Sequence, residues 1–527
     1  MKRWNGWGNI KTSYQITPSA LFYLQKRIGV GTCTPDAKLA DVLATIPACR
    51  LPNHSLLNIN SEVRLRHSRG QSLPDWIALR SGQITSFTDA VVYPSTDNEL
   101  RELFDFADEN AVHLIPYGGG TSVVGHINPK STGAATLTID LSRFNRLLSI
   151  DKDSNLATIE AGITGPALER QLRSEGLTLG HFPQSFEYST LGGWIATRSS
   201  GQQSYYYGRI EDTFAGGHIE TPSGPIEINP VPASAAGPDL RHFFLGSEGR
   251  YGVITRATMR IQPLPEVEGF FGAFFRDWNS GLSAVRKIAQ TNISVSMLRL
   301  SDAAETEITL VLSGKDKLVS WASRGLRLLG FDADRCLLIY GVTGDHNSVN
   351  CAIDQVSKII RSNGGLLAGS IIGDQWQKSR FLSPYLRNTL WDHGYAVDTL
   401  ETAIPWAKVS HLAAALKVSI IEQAEKNGIK ALVFAHLSHI YRDGASIYIT
   451  YILPRTQAEY DLLQIWKSIK NAASQVIISQ GGTISHQHGV GQDHLPFLKA
   501  EKGEIGMDIL QSVHHICDPN AILKPHG

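Results

Sequence analysis

The sequence predicts an α+β protein of more than one domain, and three observations carry that prediction. At 527 residues the chain exceeds one hydrophobic core and suits roughly two to four domains. From Trp76 onward, short apolar runs of strand character alternate with longer stretches of helical spacing. Gly- and Ser-rich turns follow strand-like runs at three places, which suits one extended ligand touched at many points.

Residues 1–75 mix short helical runs, expected at 19–27 and 37–43, with Pro and Gly. Arg64, Arg66, His67 and Arg69 form a basic cluster, read as a solvated face or as a contact for phosphate or a lipid surface. Next comes a strand at 90–93, then a helix at 97–110 that Ser95 or Thr96 can N-cap. Strands are expected at 111–115, 135–141 and 156–161, a hairpin at 216–221 and 226–231 around Ser223-Gly224, and a strand at 253–261. Pro263 and Pro265 end this region. Beyond it, helices are expected at 279–290, 317–329, 349–363 and 406–427, and strands at 308–312, 337–342, 431–436 and 446–453. Asp443-Gly444 reads as the turn of a hairpin, and a final helix at 458–480 leads to Gly481-Gly482.

Bulk composition narrows the function classes. Lys+Arg and Asp+Glu both number 49, so there is no global field for nucleic acid. A hydrophobic share of 42% and a charged share of 19% describe an ordinary globular protein. The five cysteines are scattered without CxxC, which favours neither zinc nor a disulfide framework and suits a reducing, cytoplasmic setting. The N-terminus lacks a secretory pattern, no run approaches the ~18 apolar residues of a membrane span, and Lys524-Pro525-His526-Gly527 is not an SKL-type tail.

Four motifs can carry chemistry. In Pro116-Tyr117-Gly118-Gly119-Gly120-Thr121-Ser122, amides freed by glycine can converge on a pyrophosphate, with two hydroxyls beside them. A plain hairpin is the alternative; the loop is neither a Walker loop nor a GxGxxG entering a helix. Strand period two puts Ser446, Tyr448 and Thr450 on one face and Ile447, Ile449 and Tyr451 on the other, which makes Tyr448 either a reactive phenol or a structural tyrosine. In Ser485-His486-Gln487-His488-Gly489, two histidines share a face if the segment is extended; a metal would need His436 or His439 as well, and none is expected. Arg387 offers a planar guanidinium for phosphate, or lies on a helix surface.

Together the glycine loop, the stretch 158–197 and Gly246-Ser247-Glu248-Gly249-Arg250-Tyr251-Gly252 resemble the vanillyl-alcohol-oxidase type of FAD-binding flavoproteins. Within that type the sequence is similar to the alkyldihydroxyacetonephosphate synthase (alkylglycerone-phosphate synthase) family, from Arg3-Trp4-Asn5-Gly6-Trp7-Gly8 almost to the end. The resemblance implies a helical N-terminal region (1–75), a PCMH-type FAD-binding domain of two subdomains (76–266), an α+β cap domain (267–455) and a C-terminal helical segment returning to the flavin (456–527). It implies FAD contacts at Pro116, Tyr117, Gly118, Gly119, Gly120, Thr121 and Ser122; at Pro183, Gln184, Ser185, Phe186, Glu187, Tyr188 and Ser189; at Ala196, Thr197, Arg198 and Ser199; and at Glu248, Gly249, Arg250, Tyr251, Gly252, Val253 and Ile254. Relatives with covalent flavin place histidine where Thr121 stands, so non-covalent FAD is expected.

The same resemblance makes Tyr448 the essential tyrosine that moves the substrate proton; a phenol beside a flavin can act as general acid or base if cationic neighbours pull its pKa down. His486 and His488 would stabilise charge, and Arg387 would hold substrate phosphate. Two positions depart from the family: Gln487 replaces the middle of three histidines and cannot carry charge, and Ala233 stands where an arginine is expected. The implied reaction exchanges the acyl group of acyl-dihydroxyacetone phosphate for a fatty alcohol, without net redox change. The alternative is an FAD-dependent oxidase or dehydrogenase of a small 2-hydroxy acid or alcohol, such as D-lactate or glycolate. Its GDGNxH metal pattern is absent, with Arg442-Asp443-Gly444-Ala445-Ser446 instead. A non-enzymatic binding protein is the third alternative. Expected partners are a small-molecule or lipid substrate, a membrane surface touched peripherally, a second copy in a homodimer, and no nucleic acid.

Overall fold

The glycine loop leaves strand His113–Tyr117, whose partner Thr136–Asp140 runs parallel to it. The loop therefore begins a crossover, and the hairpin alternative falls. The computed structural model describes residues 1–130, 133–312, 323–456 and 459–523. Strand Ala90–Val92 completes a three-stranded parallel sheet. Helix Asp97–Glu109 is capped by Thr96, whose hydroxyl accepts from Glu99 N. Its Leu100, Leu103, Phe104 and Ala107 recur at helical spacing and pack into the sheet's core.

A second sheet holds five antiparallel strands in the order Leu147–Asp151, Leu156–Glu160, Val253–Arg260, Phe214–Thr221, Gly224–Ile228. The third holds seven, in the order Leu366–Gly369, Val267–Phe275, Cys336–Gly344, Val295–Ser301, Leu432–Ile440, Gly444–Pro454, Tyr395–Pro405. Helices Trp278–Ala289, His346–Ser362, Val409–Lys426 and Glu459–Gln480 cover one face of it. Period two sends Ile447, Ile449 and Tyr451 into that helical side, each buried. Tyr448 and Thr450 face the other way and line a cavity. Each buried Ile or Leu stabilises this arrangement by roughly 1.5–3 kcal/mol, so the register is strongly held.

Several expectations change. The run 308–312 is no strand but the end of helix Ala303–Leu312, started by Asp302, whose carboxylate accepts from Glu305 N. An apolar run that short cannot separate the two periods by itself. The expected helix at 317–329 lies partly outside the described residues, as does position 458. Strands Val267–Phe275, Val295–Ser301 and Tyr395–Pro405 were not expected. The basic cluster is neither a solvated face nor a free anion site. Arg64 donates to the carbonyls of Thr88 and Pro47, Arg66 pairs with Glu62, His67 meets Asp140 at 2.8 Å, and Arg69 donates to the carbonyls of Ser68 and Ser86. All five cysteines are free thiols. Among the described residues, no helix is long and apolar enough to cross a membrane.

Candidate active site

A cavity of about 1070 Å³ lies between the glycine loops and the helix-free face of the seven-stranded sheet. On the loop side, all seven residues 116–122 line it, with Pro183, Gln184, Ser185, Ser189, Ala196, Thr197, Ser199, Glu248, Gly249, Gly252, Val253 and Ile254. Six expected contacts do not. Phe186 stacks between Trp194 and Phe381, Glu187 accepts from the Tyr385 hydroxyl, and Tyr188 packs edge-on against Trp7. Arg198 pairs with Glu211, Arg250 donates to the Ser247 carbonyl, and Tyr251 is buried in the core of the five-stranded sheet. The resemblance implied these six; each is held instead by the partners just named, away from the cavity. Thr190, Gly192, Gly193 and Ser200 also line the cavity and were not anticipated.

Close approach explains the glycines. A Cβ on Gly119 would lie 1.8 Å from the Tyr188 carbonyl oxygen, and one on Gly118 would lie 2.3 Å from Thr190 Oγ1. Gly120 has φ +69°, the left-handed region. The 118–120 loop therefore rests on the 188–190 loop and presents its backbone to the cavity. This backbone-lined trough fits an extended dinucleotide.

The sheet side carries the polar cluster. Strand register sets Glu401 opposite Tyr448 on one side and His436 opposite it on the other. The His436 ring stacks on Tyr448 with centroids 4.9 Å apart, and His488 meets Tyr448 edge-on at 5.9 Å. His436 Nδ1 lies 3.0 Å from Glu305, which also pairs with Arg299 at 2.7 Å. Burial pushes the Tyr448 phenol up, the reverse of the lowering expected from cationic neighbours. Tyr448 is thus a protonated phenol at neutral pH, a donor in its resting form.

Glu401 is the residue that sequence reading missed, and it organises the closing segment. Its Oε1 accepts from Ser438 Oγ at 2.5 Å and Ser446 Oγ at 3.0 Å, and its Oε2 accepts from Gln487 Nε2 at 2.6 Å. His486 Nδ1 lies 3.2 Å away, and His439 and His488 each lie 3.9 Å away. Burial by itself would raise its pKa, but the surrounding histidines outweigh burial and hold the carboxyl well below the usual range. Gln487 still spans two elements: its Nε2 donates to Glu401 and its Oε1 accepts from Ser200 N at 3.2 Å.

His486 does not line the cavity but sits one layer behind it. Arg209 Nη1, which can only donate, approaches its Nε2 at 3.3 Å, and the Tyr441 hydroxyl meets the same nitrogen at 2.5 Å. Nε2 is therefore the acceptor and the ring proton sits on Nδ1, which lies 3.2 Å from Glu401 Oε1 without making a hydrogen bond among the described residues. Glu401, His439 and His486 offer ligand atoms within 4.8 Å of one another, the one such group at this site among the described residues. The carboxylate's lone pairs already serve three donors there.

Arg387 lies over the Trp76 ring at 4.4 Å and donates from Nη1 to the Gln71 carbonyl. Its Nη2 is buried without a partner among the described residues, and the side chain lines the cavity. Ala233 lies in an exposed turn with φ +48° and does not line the cavity, so that departure leaves the site untouched.

Comparison with known proteins agrees with this geometry. Residues 88–228 match the FAD binding domain family and residues 264–526 match the C-terminal domain of FAD linked oxidases. The alkyldihydroxyacetonephosphate synthase of Dictyostelium discoideum is 33% identical over 498 residues, covering 93% of this chain and 81% of that protein. The synthase of Trypanosoma brucei brucei is 32% identical over 478 residues, covering 89% and 78%. A solved alkyldihydroxyacetonephosphate synthase structure superposes with TM-score 0.85 at 29% identity, covering 100% of this chain and 98% of that one. The Bacillus subtilis glycolate oxidase subunit is more distant, at 25% identity over 84% of this chain and 89% of that protein. The backbone trough and the first of these matches identify FAD as the cofactor, and the chain belongs to the alkyldihydroxyacetonephosphate synthase family.

Proposed function

We propose that this protein exchanges the acyl group of acyl-dihydroxyacetone phosphate for a fatty alcohol, forming an ether without net oxidation. The observation that carries the proposal is one cavity with three chemistries: backbone amides at the glycine loops, a Tyr/His cluster with a buried arginine, and an apolar branch. Phe274, Met297, Leu337, Ile339, Leu366, Trp376 and Phe434 line that branch. A small hydroxy acid has no use for it, and nothing in the geometry favours the dehydrogenase alternative.

FAD supplies an electron sink that lets one C–O bond beside the ketone break and another form. This chain's residues do the rest. Arg387 Nη2 binds phosphate and fixes the ketone end. Tyr448 O–H gives a proton to the departing carboxylate and regains one from the entering alcohol, so the phenol ends each cycle unchanged. His436 and His488 hold the ring from two sides. Thr121 offers no imidazole to the flavin, which supports non-covalent FAD. At the far end, exposed Leu329 and Ile371 line the cavity, which supports peripheral contact with lipid.

The test mixes purified protein, acyl-dihydroxyacetone phosphate and labelled fatty alcohol without an electron acceptor. Label in an ether product supports the proposal. Its absence, with hydroxy-acid-dependent bleaching of the flavin, overturns it.

A further inference from the structure

The motif Arg3-Trp4-Asn5-Gly6-Trp7-Gly8 opens the family resemblance, yet of its residues only Trp7 lines the cavity. Residues 2–9 form a short antiparallel loop, closed by the Lys2–Asn9 bridge and by Arg3 N donating to the Gly8 carbonyl. The buried side chain of Asn388 receives this loop as a paired strand would. Its Oδ1 accepts from Trp7 N at 3.1 Å, and its Nδ2 donates to the Trp7 carbonyl at 3.0 Å. The glycines permit that approach. A Cβ on Gly6 would lie 2.5 Å from Asn388 Oδ1, and one on Gly8, at φ +75°, would lie 2.4 Å from the Tyr385 ring.

Tyr385, Arg387 and Asn388 share one helix, Ser383–Asp392. Both partners of Arg387 come from elsewhere: the Gln71 carbonyl just before helix Leu73–Ser81, and the Trp76 ring within it. The loop joins these two helices. The Asn5 carbonyl accepts from Arg80 Nε at 2.7 Å, and Arg80 Nη2 donates to Asn388 Oδ1 at 3.3 Å. The loop also reaches both flavin loops. Lys2 Nζ donates to the Gly119 carbonyl at 2.9 Å, and Trp7 meets Tyr188 edge-on. The Tyr385 hydroxyl accepts from Asn9 N at 3.3 Å and donates to Glu187 at 2.8 Å.

We propose that the loop at residues 2–9 is a positioning clasp for the phosphate arginine. Through Asn388 and Tyr385 it fixes helix Ser383–Asp392 against helix Leu73–Ser81 and the flavin loops, and so sets where Arg387 Nη2 stands relative to the cofactor. The inference rests on Arg387 as the phosphate ligand, proposed above. Gln71 and Trp76 can pin the guanidinium only while the two helices keep one spacing. A shift of about 1 Å there displaces the bound ketone from the reacting position, an error that can cost on the order of 10²-fold. Neither Asn388 nor Tyr385 lines the cavity, so both act through Arg387 and are positioning residues.

The experiment is a double-mutant cycle of Asn388→Ala and Arg387→Met in the holoenzyme, read as initial ether formation. Asn388→Ala alone should raise KM for acyl-dihydroxyacetone phosphate about tenfold and leave KM for the fatty alcohol within about twofold. In the Arg387→Met background it should add less than about twofold, because the group it positions is already gone. A merely structural contact would move both KM values alike in both backgrounds; that result, or an unmoved KM, overturns the clasp. An Arg387→Met variant with wild-type KM for the phosphorylated substrate overturns the phosphate reading, and the clasp with it. A wild type that makes no ether overturns the exchange reaction alone. The affinity of the same proteins for inorganic phosphate, measured by calorimetry, then decides: about tenfold weaker binding in Asn388→Ala supports the clasp, and wild-type affinity overturns it. If Asn388→Ala fails to retain FAD, Tyr385→Phe takes its place in the cycle under the same criteria, since it keeps the ring and removes only the hydroxyl shared by Asn9 and Glu187.

Discussion

Replacing Arg387 by methionine isolates the phosphate contact. Methionine keeps an unbranched stem over Trp76 but removes the guanidinium, including the unpartnered Nη2. One charge-assisted hydrogen bond contributes about 1.5–3 kcal/mol, which is roughly a 10- to 150-fold rise in KM for a phosphorylated substrate. The fatty alcohol binds elsewhere in the cavity, so its KM should stay within about twofold. A structural cost accompanies the change, because the Gln71 carbonyl loses its donor and Trp76 its cation. Those losses are about 1 kcal/mol each and appear as a lower Tm, separable from the kinetic effect. The assay measures initial ether formation against each substrate in turn, with inorganic phosphate as competitor. Phosphate should inhibit the wild type and lose that effect in the variant. Equal KM changes for both substrates, or unaltered phosphate inhibition, would refute Arg387 as the phosphate ligand.

Tyr448→Phe should keep FAD and fold while ether formation drops ~10²–10⁴-fold; turnover at the wild-type rate with an unchanged flavin spectrum returns Tyr448 to a structural role. Gly119→Ala should abolish FAD retention, because its Cβ would fall 1.8 Å from the Tyr188 carbonyl and force the two flavin loops apart, whereas wild-type protein should release intact FAD on heat denaturation. Flavin remaining with the precipitated wild-type polypeptide would contradict non-covalent binding. Glu401 has its folded pKa depressed, so the unfolded chain takes up its proton first as pH falls. The stability it contributes is therefore complete above the ordinary glutamate value of about 4.3 and is lost as pH drops through the lower folded value. Glu401→Gln should melt lower at pH 7, by ~3 kcal/mol, with the gap closing in acid; a gap that widens in acid would reverse the assignment.

Local pattern made much of this protein legible from its sequence. The alternation of Ser446 to Tyr451 placed Tyr448 on the open face because one side of that strand is packed by helices and the other by a cavity. Thr96 marked a helix start because its hydroxyl satisfies an otherwise orphaned amide. The glycine triplet marked a close approach, although its nearest obstacle is another loop's carbonyl. Tertiary structure decided what no local pattern encodes. Glu401 reads as any acidic residue between Leu400 and Thr402, and only pairing of strand Tyr395–Pro405 with Gly444–Pro454 sets it beside Tyr448 and under Gln487. Arg64 and Arg69 read as surface charge, yet both are buried on carbonyls contributed by distant loops. Period and capping are properties of neighbours in the chain, whereas burial and charge partners are set by how segments tens of residues apart pair and pack, which is why the first were visible in the sequence and the second were not.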